Sequence, residues 1–83
     1  MSRSMPRLYF MDVPEYRPFI DLLGRDPSLA RDEAAGYVRF SGDGEITVRR
    51  ADTGLGEAVW FGALVAGFEG RIVRFTDEEL VVA

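Results

Sequence analysis

Arginines, carboxylates, hydroxyls and tyrosines are the side chains left to do chemistry in this chain, because its 83 residues include no Cys, His, Lys, Asn or Gln. Without Cys there is neither a disulfide nor a thiolate nucleophile. Without Cys or His, the zinc, haem and iron–sulfur sites built on them are excluded. A hard, oxygen-ligated cation such as magnesium or calcium is the one class of metal these residue types allow. There is no imidazole base and no Schiff-base amine, so proton transfer would fall to carboxylates, hydroxyls and tyrosine. Catalysis is therefore not expected as the primary role, and no cofactor is expected.

Among charged residues, Arg39 and Arg49 are the candidates for fixing an acidic ligand, since a guanidinium presents a planar fork that matches a carboxylate. Arg49 and Arg50 are adjacent but isolated. Against a formal charge of −4 they make no phosphate-binding surface, so nucleic acid is not an expected partner. Asp77, Glu78 and Glu79 form the acidic cluster, which reads as a solvated turn rather than a metal site, with Arg71 and Arg74 balancing its charge. Asp12 and Glu15 have the spacing of a helix start. The glycine-rich stretch 51–56, ADTGLG, invites a phosphate-loop reading. It lacks both a Gly-x-Gly-x-x-Gly after a strand and a Gly-Lys-Ser/Thr ending, so it reads as an ordinary loop.

The elements that must position these residues follow from pattern. Residues 1–6 read as a disordered leader, with Met5 an alternative start, and residues 7–11 as a short apolar run that is either an edge strand or an N-terminal strap. Pro14 and Pro18 cannot both lie in one helix interior, so a turn over 14–17 and a helix over 18–23, stopped by Gly24, are predicted. Its apolar face is Phe19, Leu22 and Leu23. Asp26 followed by Pro27 predicts a second short helix through residue 35, ending at Gly36. Both helices are expected to cap one face of a sheet.

Residues 37–50 read as a β-hairpin. Val38 and Phe40 alternate with polar residues, as do Ile46 and Val48, and a three-residue loop Gly42, Asp43, Gly44 keeps both rows on one face by pairing Phe40 with Ile46. Residues 57–70 support either a helix buried on all sides or strands. Strands are preferred, because so short a chain has little material to bury such a helix, and Val, Trp and Phe punctuated by Gly favour β structure. Residues 71–75 then form a return strand, with Val73 and Phe75 on one face and Ile72 and Arg74 on the other. A polar turn over 76–79 leads to a last strand, 80–82.

On that reading Trp60 and Phe61 are strand neighbours facing opposite sides. One of them needs cover from outside the domain, which makes Trp60, Phe61 and Phe68 the candidate interaction surface. The expected fold is α+β: one domain over residues 1–83, with two short N-terminal helices on a small antiparallel sheet of about three to five strands. The expected function is a non-catalytic interaction module, a homodimer or a small accessory subunit. The alternative is a small acidic-ligand-binding or weakly catalytic domain using Arg39 or Arg49 in a cavity between helices and sheet. No signal-peptide core and no membrane span is read from the chain, so a cytoplasmic protein with no membrane partner is expected.

Overall fold

The alternation of Arg7, Leu8, Tyr9, Phe10 and Met11 makes β1 (Arg7–Met11) the centre of a sheet: Leu8 and Phe10 are buried and their neighbours face outward. This is seen in a computed structural model that describes residues 5–83. Of the expected leader, residues 1–4 lie outside the described residues. Pro6 is buried, and its carbonyl accepts from the Gly42 N–H at 3.0 Å.

A 3-10 turn, Pro14–Tyr16, leads into α1 (Arg17–Gly24), whose second proline falls in the first turn, where no backbone N–H is needed. Asp12 caps nothing and instead pairs with Arg17 at 2.8 Å. Phe19 and Leu23 face the core as expected, but the third buried residue is Ile20, and Leu22, expected on that face, is only partly buried.

The predicted second helix is not formed. Asp26 accepts from both the N–H and the hydroxyl of Ser28, which closes a local turn and holds the Asp26 carboxyl below its usual range. The chain then extends as β2 (Ala30–Ala34), paired antiparallel with β3 (Tyr37–Ser41). Ala35 and Gly36 close this hairpin with φ of 53° and 83°, the two positive values of a tight two-residue turn. Residues with good helix propensity are held extended by ladder bonds, by an Asp32–Arg39 ion pair and by the Arg31 guanidinium 5.9 Å from the Phe40 ring centroid.

Nor do β3 and β4 (Ile46–Arg49) pair with each other. β3 lies between β1 and β2, with Phe40 opposite Leu8, whereas β4 pairs with β7 (Glu79–Val82), with Ile46 opposite Val82. Residues 42–45 are a crossing between two sheets. Gly42 permits it, because a Cβ there would lie 2.9 Å from Ile46 and 3.2 Å from Leu29. Both apolar rows still face one core, which is what alternation determines.

After β4 come two one-turn helices, α2 (Arg50–Thr53) and α3 (Glu57–Trp60). The preferred strand over residues 58–66 is absent: α3 continues through turns bonded Gly62 to Val59, Ala63 to Trp60, Val65 to Gly62 and Gly67 to Leu64. Trp60 and Ala63 thereby both reach the core. β5 (Phe68–Glu69) follows on the free side of β1, and β6 (Ile72–Phe75) and β7 form the expected terminal hairpin. Its turn is held by Thr76 Oγ1, which accepts from the Glu78 and Glu79 N–H groups at 3.2 Å. A bulge at Val73 resets the alternation of β6, so Ile72 opposes Val82 and Phe75 opposes Leu80.

Over the described residues the fold is α+β, with seven strands in two antiparallel sheets, ordered β2-β3-β1-β5 and β4-β7-β6, and three short helices. One core unites them: Leu8, Phe10, Val38 and Phe40 from the first sheet, Ile46, Val48, Leu80 and Val82 from the second, and Phe19, Ile20, Leu23 and Trp60 from the helices. Among the described residues no helix is long and apolar enough to cross a membrane.

The strained turn gives a direct check. Ala35→Asn, which places a residue tolerant of positive φ at this position, should stabilise the fold by about 0.5–1 kcal/mol, raising the melting temperature by several degrees. An unchanged or lower melting temperature would remove the left-handed Ala35.

Candidate functional site

Of the three aromatic candidates, Trp60 is removed from the surface: it is 0% exposed and its Nε1 donates to the Thr76 carbonyl at 2.7 Å. Its ring lies 5.8 Å from that of Phe19 and 6.0 Å from that of Phe75. The expected conflict with Phe61 came from a strand, where neighbours point oppositely. On a helical turn they diverge by only about 100°. Phe61 is 47% exposed, resting one side on Phe75 at 5.5 Å. Phe68 is 37% exposed on β5, opposite Leu8 at the free edge of the first sheet.

Three further residues join them: Val65, Ile72 and Val73 are exposed as well. Phe61, Val65, Phe68, Ile72 and Val73 thus fall within one stretch of chain that carries β5 and β6, each the edge strand of its own sheet. Val73 is hidden from pattern reading by the bulge, since regular alternation puts it on the same face as the partly buried Phe75, whereas Ile72 is on the face that alternation assigns to Arg74.

Burial of the single tryptophan is testable by fluorescence. The emission should be blue-shifted and resist iodide quenching, and Trp60→Phe should cost about 1–3 kcal/mol in urea unfolding through the lost bond to Thr76 and the void. Ready quenching in the native state would return Trp60 to the surface.

Arg39 and Arg49 are not brought together; they stand on different sheets. Arg39 lies on the outer face of the first sheet, where its guanidinium bonds to Asp32 and Tyr9, and both raise its already high pKa. The Tyr9 hydroxyl donates to Glu69, which also meets Arg7 at 3.4 Å. Tyr9, Asp32, Ala34, Tyr37, Arg39 and Ala66 surround a cavity of about 300 Å³ there. With Asp32 already opposite it, Arg39 has its charge compensated and is a poor anchor for an acid.

Arg49 differs. No hydrogen bond or ion pair engages its side chain among the described residues, and it borders two cavities. The smaller, about 340 Å³, lies where α1 meets β4 and α2, the helix–sheet position expected for a ligand. The larger, about 840 Å³, opens between the β4–α2 junction and the β6–β7 turn and includes Asp77, Glu78 and Glu79. Among the described residues no group of three or more acidic side chains is placed to hold a metal ion.

Comparison with models of known protein families gives no match, and no curated protein matches the chain.

The Glu69 carboxyl is held below its usual range, chiefly by the hydrogen bond from Tyr9, with desolvation opposing and Arg7 and the Arg39 charge assisting. A depressed native pKa stabilises the fold above the unfolded-state value, and that contribution is lost as pH falls through the native one. Tyr9→Phe should therefore raise the Glu69 pKa, read by NMR titration, and flatten the loss of stability below about pH 4.3. An unmoved Glu69 titration would dissociate the two side chains.

Proposed function

We propose that this chain is a non-catalytic interaction module of the cytoplasm that docks another protein chain on the apolar ribbon of Phe61, Val65, Phe68, Ile72 and Val73. The observation that carries the reading is their shared exposure along one stretch containing an edge strand of each sheet. Scattered exposed apolar residues need no explanation, but a run in which Phe68, Ile72 and Val73 lie on edge strands, joined by Phe61 and Val65 from the preceding turns, is a liability that a partner removes. The residue types agree: aromatic and branched apolar side chains form interface centres, and Glu69, Arg71 and Arg74 supply charges for a rim. In this reading the chain is one half of a homodimer or an accessory subunit.

Light scattering after size exclusion, with affinity capture from the native host, separates these forms. Val73→Glu should weaken self-association or capture of the partner at least tenfold. Its unfolding midpoint should stay near that of the wild type, because the Val73 side chain is exposed and, at the bulge, has no cross-strand partner in the β6–β7 register, and exposed substitutions usually stay within about 0.5 kcal/mol. A chain that is strictly monomeric and captures nothing that Val73→Glu loses would overturn the module.

A further inference from the structure

The cavity of about 840 Å³ is lined by three arginines, Arg49, Arg50 and Arg74, and by three carboxylates, Asp77, Glu78 and Glu79, whose commitments differ. Arg50 is fully engaged in structure: its Nε donates to the Leu55 carbonyl at 3.0 Å and a terminal nitrogen donates to the Asp77 carbonyl at 3.1 Å. Its backbone N–H is bonded to the Glu78 carbonyl, so this one residue ties the 51–56 loop to the β6–β7 turn. Arg74 is paired with Glu79. Once these are set aside, one cation and two anions remain on the cavity wall: among the described residues the side chains of Arg49, Asp77 and Glu78 have no hydrogen bond or ion pair.

That remainder constrains the ligand. Arg49 stands opposite Glu79 in the β4–β7 register and the Arg50 N–H bonds the Glu78 carbonyl, so a simple carboxylic acid that paired with Arg49 would lie beside the acidic turn that carries Asp77 and Glu78. A simple amine that paired with those carboxylates would share the cavity with Arg49, Arg50 and Arg74. A molecule with both signs meets an opposite charge at each end and leaves no like charges in contact. The volume, about 840 Å³, lies within the ordinary range for small-molecule sites.

We propose that this cavity binds a small zwitterion, a compound bearing one carboxylate and one ammonium group, with its carboxylate on the Arg49 guanidinium and its ammonium between Asp77 and Glu78. Arg50 acts as a positioning residue: it holds the two walls at a fixed separation without touching the ligand. None of the five ribbon side chains lines the cavity, and Arg74, which borders both surfaces, is paired with Glu79 and does not hold the ligand, so the site stands or falls independently of the docking role.

The test is a titration of the intact chain followed by the backbone amide resonances of residues 49–55 and 76–79. The probes are glycine, 4-aminobutanoate and diglycine, which vary the charge separation, with acetate and ethylammonium carrying one charge each. At least one zwitterion should give saturable shifts with a dissociation constant on the order of 1–10 mM. Acetate and ethylammonium should bind at least tenfold more weakly. Arg49→Gln should abolish zwitterion binding while leaving the amide spectrum folded, since Arg49 has no structural partner, and Asp77→Asn with Glu78→Gln should reverse the preference in favour of acetate. The proposal is overturned if no zwitterion shifts these amides saturably, if acetate binds as tightly as the best zwitterion, or if Arg49→Gln leaves binding intact.

Discussion

Everything in this fold is arranged around the burial of one indole. Trp60 is enclosed between Phe19 of α1 and Phe75 of β6, and its N–H reaches the carbonyl of Thr76 in the turn that follows. An indole brings roughly 150–250 Å² of apolar area out of water, yet its N–H costs about 1–3 kcal/mol if buried without an acceptor. The acceptor must therefore come to the ring. Meeting that need locks three elements that share no backbone ladder: α1, the one-turn helix carrying Trp60, and the β6–β7 hairpin. The first sheet joins the same aromatic chain where Phe10 stacks on Phe19 at 5.0 Å.

Alternation specifies which face a residue takes and says nothing about which strand lies beside it. Val38 and Phe40, like Ile46 and Val48, point where their spacing says they should, into a common core. A glycine loop between two such runs reads as a hairpin, but the same glycines suit a crossing between sheets, and only long-range pairing with β1 and β7 decides between them. The extended state of residues 30–34 was hidden for a related reason. Their propensity is helical, and the turn that makes them a strand uses Ala35 at positive φ, a position where sequence patterns look for Asn or Gly. The helix over 18–23 was legible because its two prolines act locally, although Gly24, read as its stop, is its last residue and Arg25 is the C-cap in the right-handed region. For residues 57–70 both regular readings fell short, since the segment is a short helix run out through turns.

Misreading β2 carried through to the site. As a helix, residues 29–35 would have had no fixed relation to Arg39. As a strand in register, Asp32 stands directly opposite Arg39 and compensates its charge. Arg49 is the converse case. Its cross-strand partner position is held by Glu79, but Glu79 is drawn to Arg74 on the other side of β7. One carboxylate between two guanidinium groups leaves one of them over. Counting charges along the chain cannot reveal this; the surplus exists only after the strands are ordered.

The same ordering bears on how the proposed module would meet a partner. Two edge strands, β5 and β6, border the apolar ribbon, and an unprotected edge of that kind invites open-ended strand addition. β5 is only two residues long, and β6 is interrupted by the bulge at Val73 with Arg71 and Arg74 on either side. Short length, a bulge and flanking charge are the devices that stop ladders from propagating. They leave the side chains of Phe61, Val65, Phe68 and Val73 exposed while denying the backbone a long register. On the proposed reading, a partner docking here would gain its affinity from side-chain packing rather than from ladder bonds, which favours a closed, stoichiometric contact over a fibre.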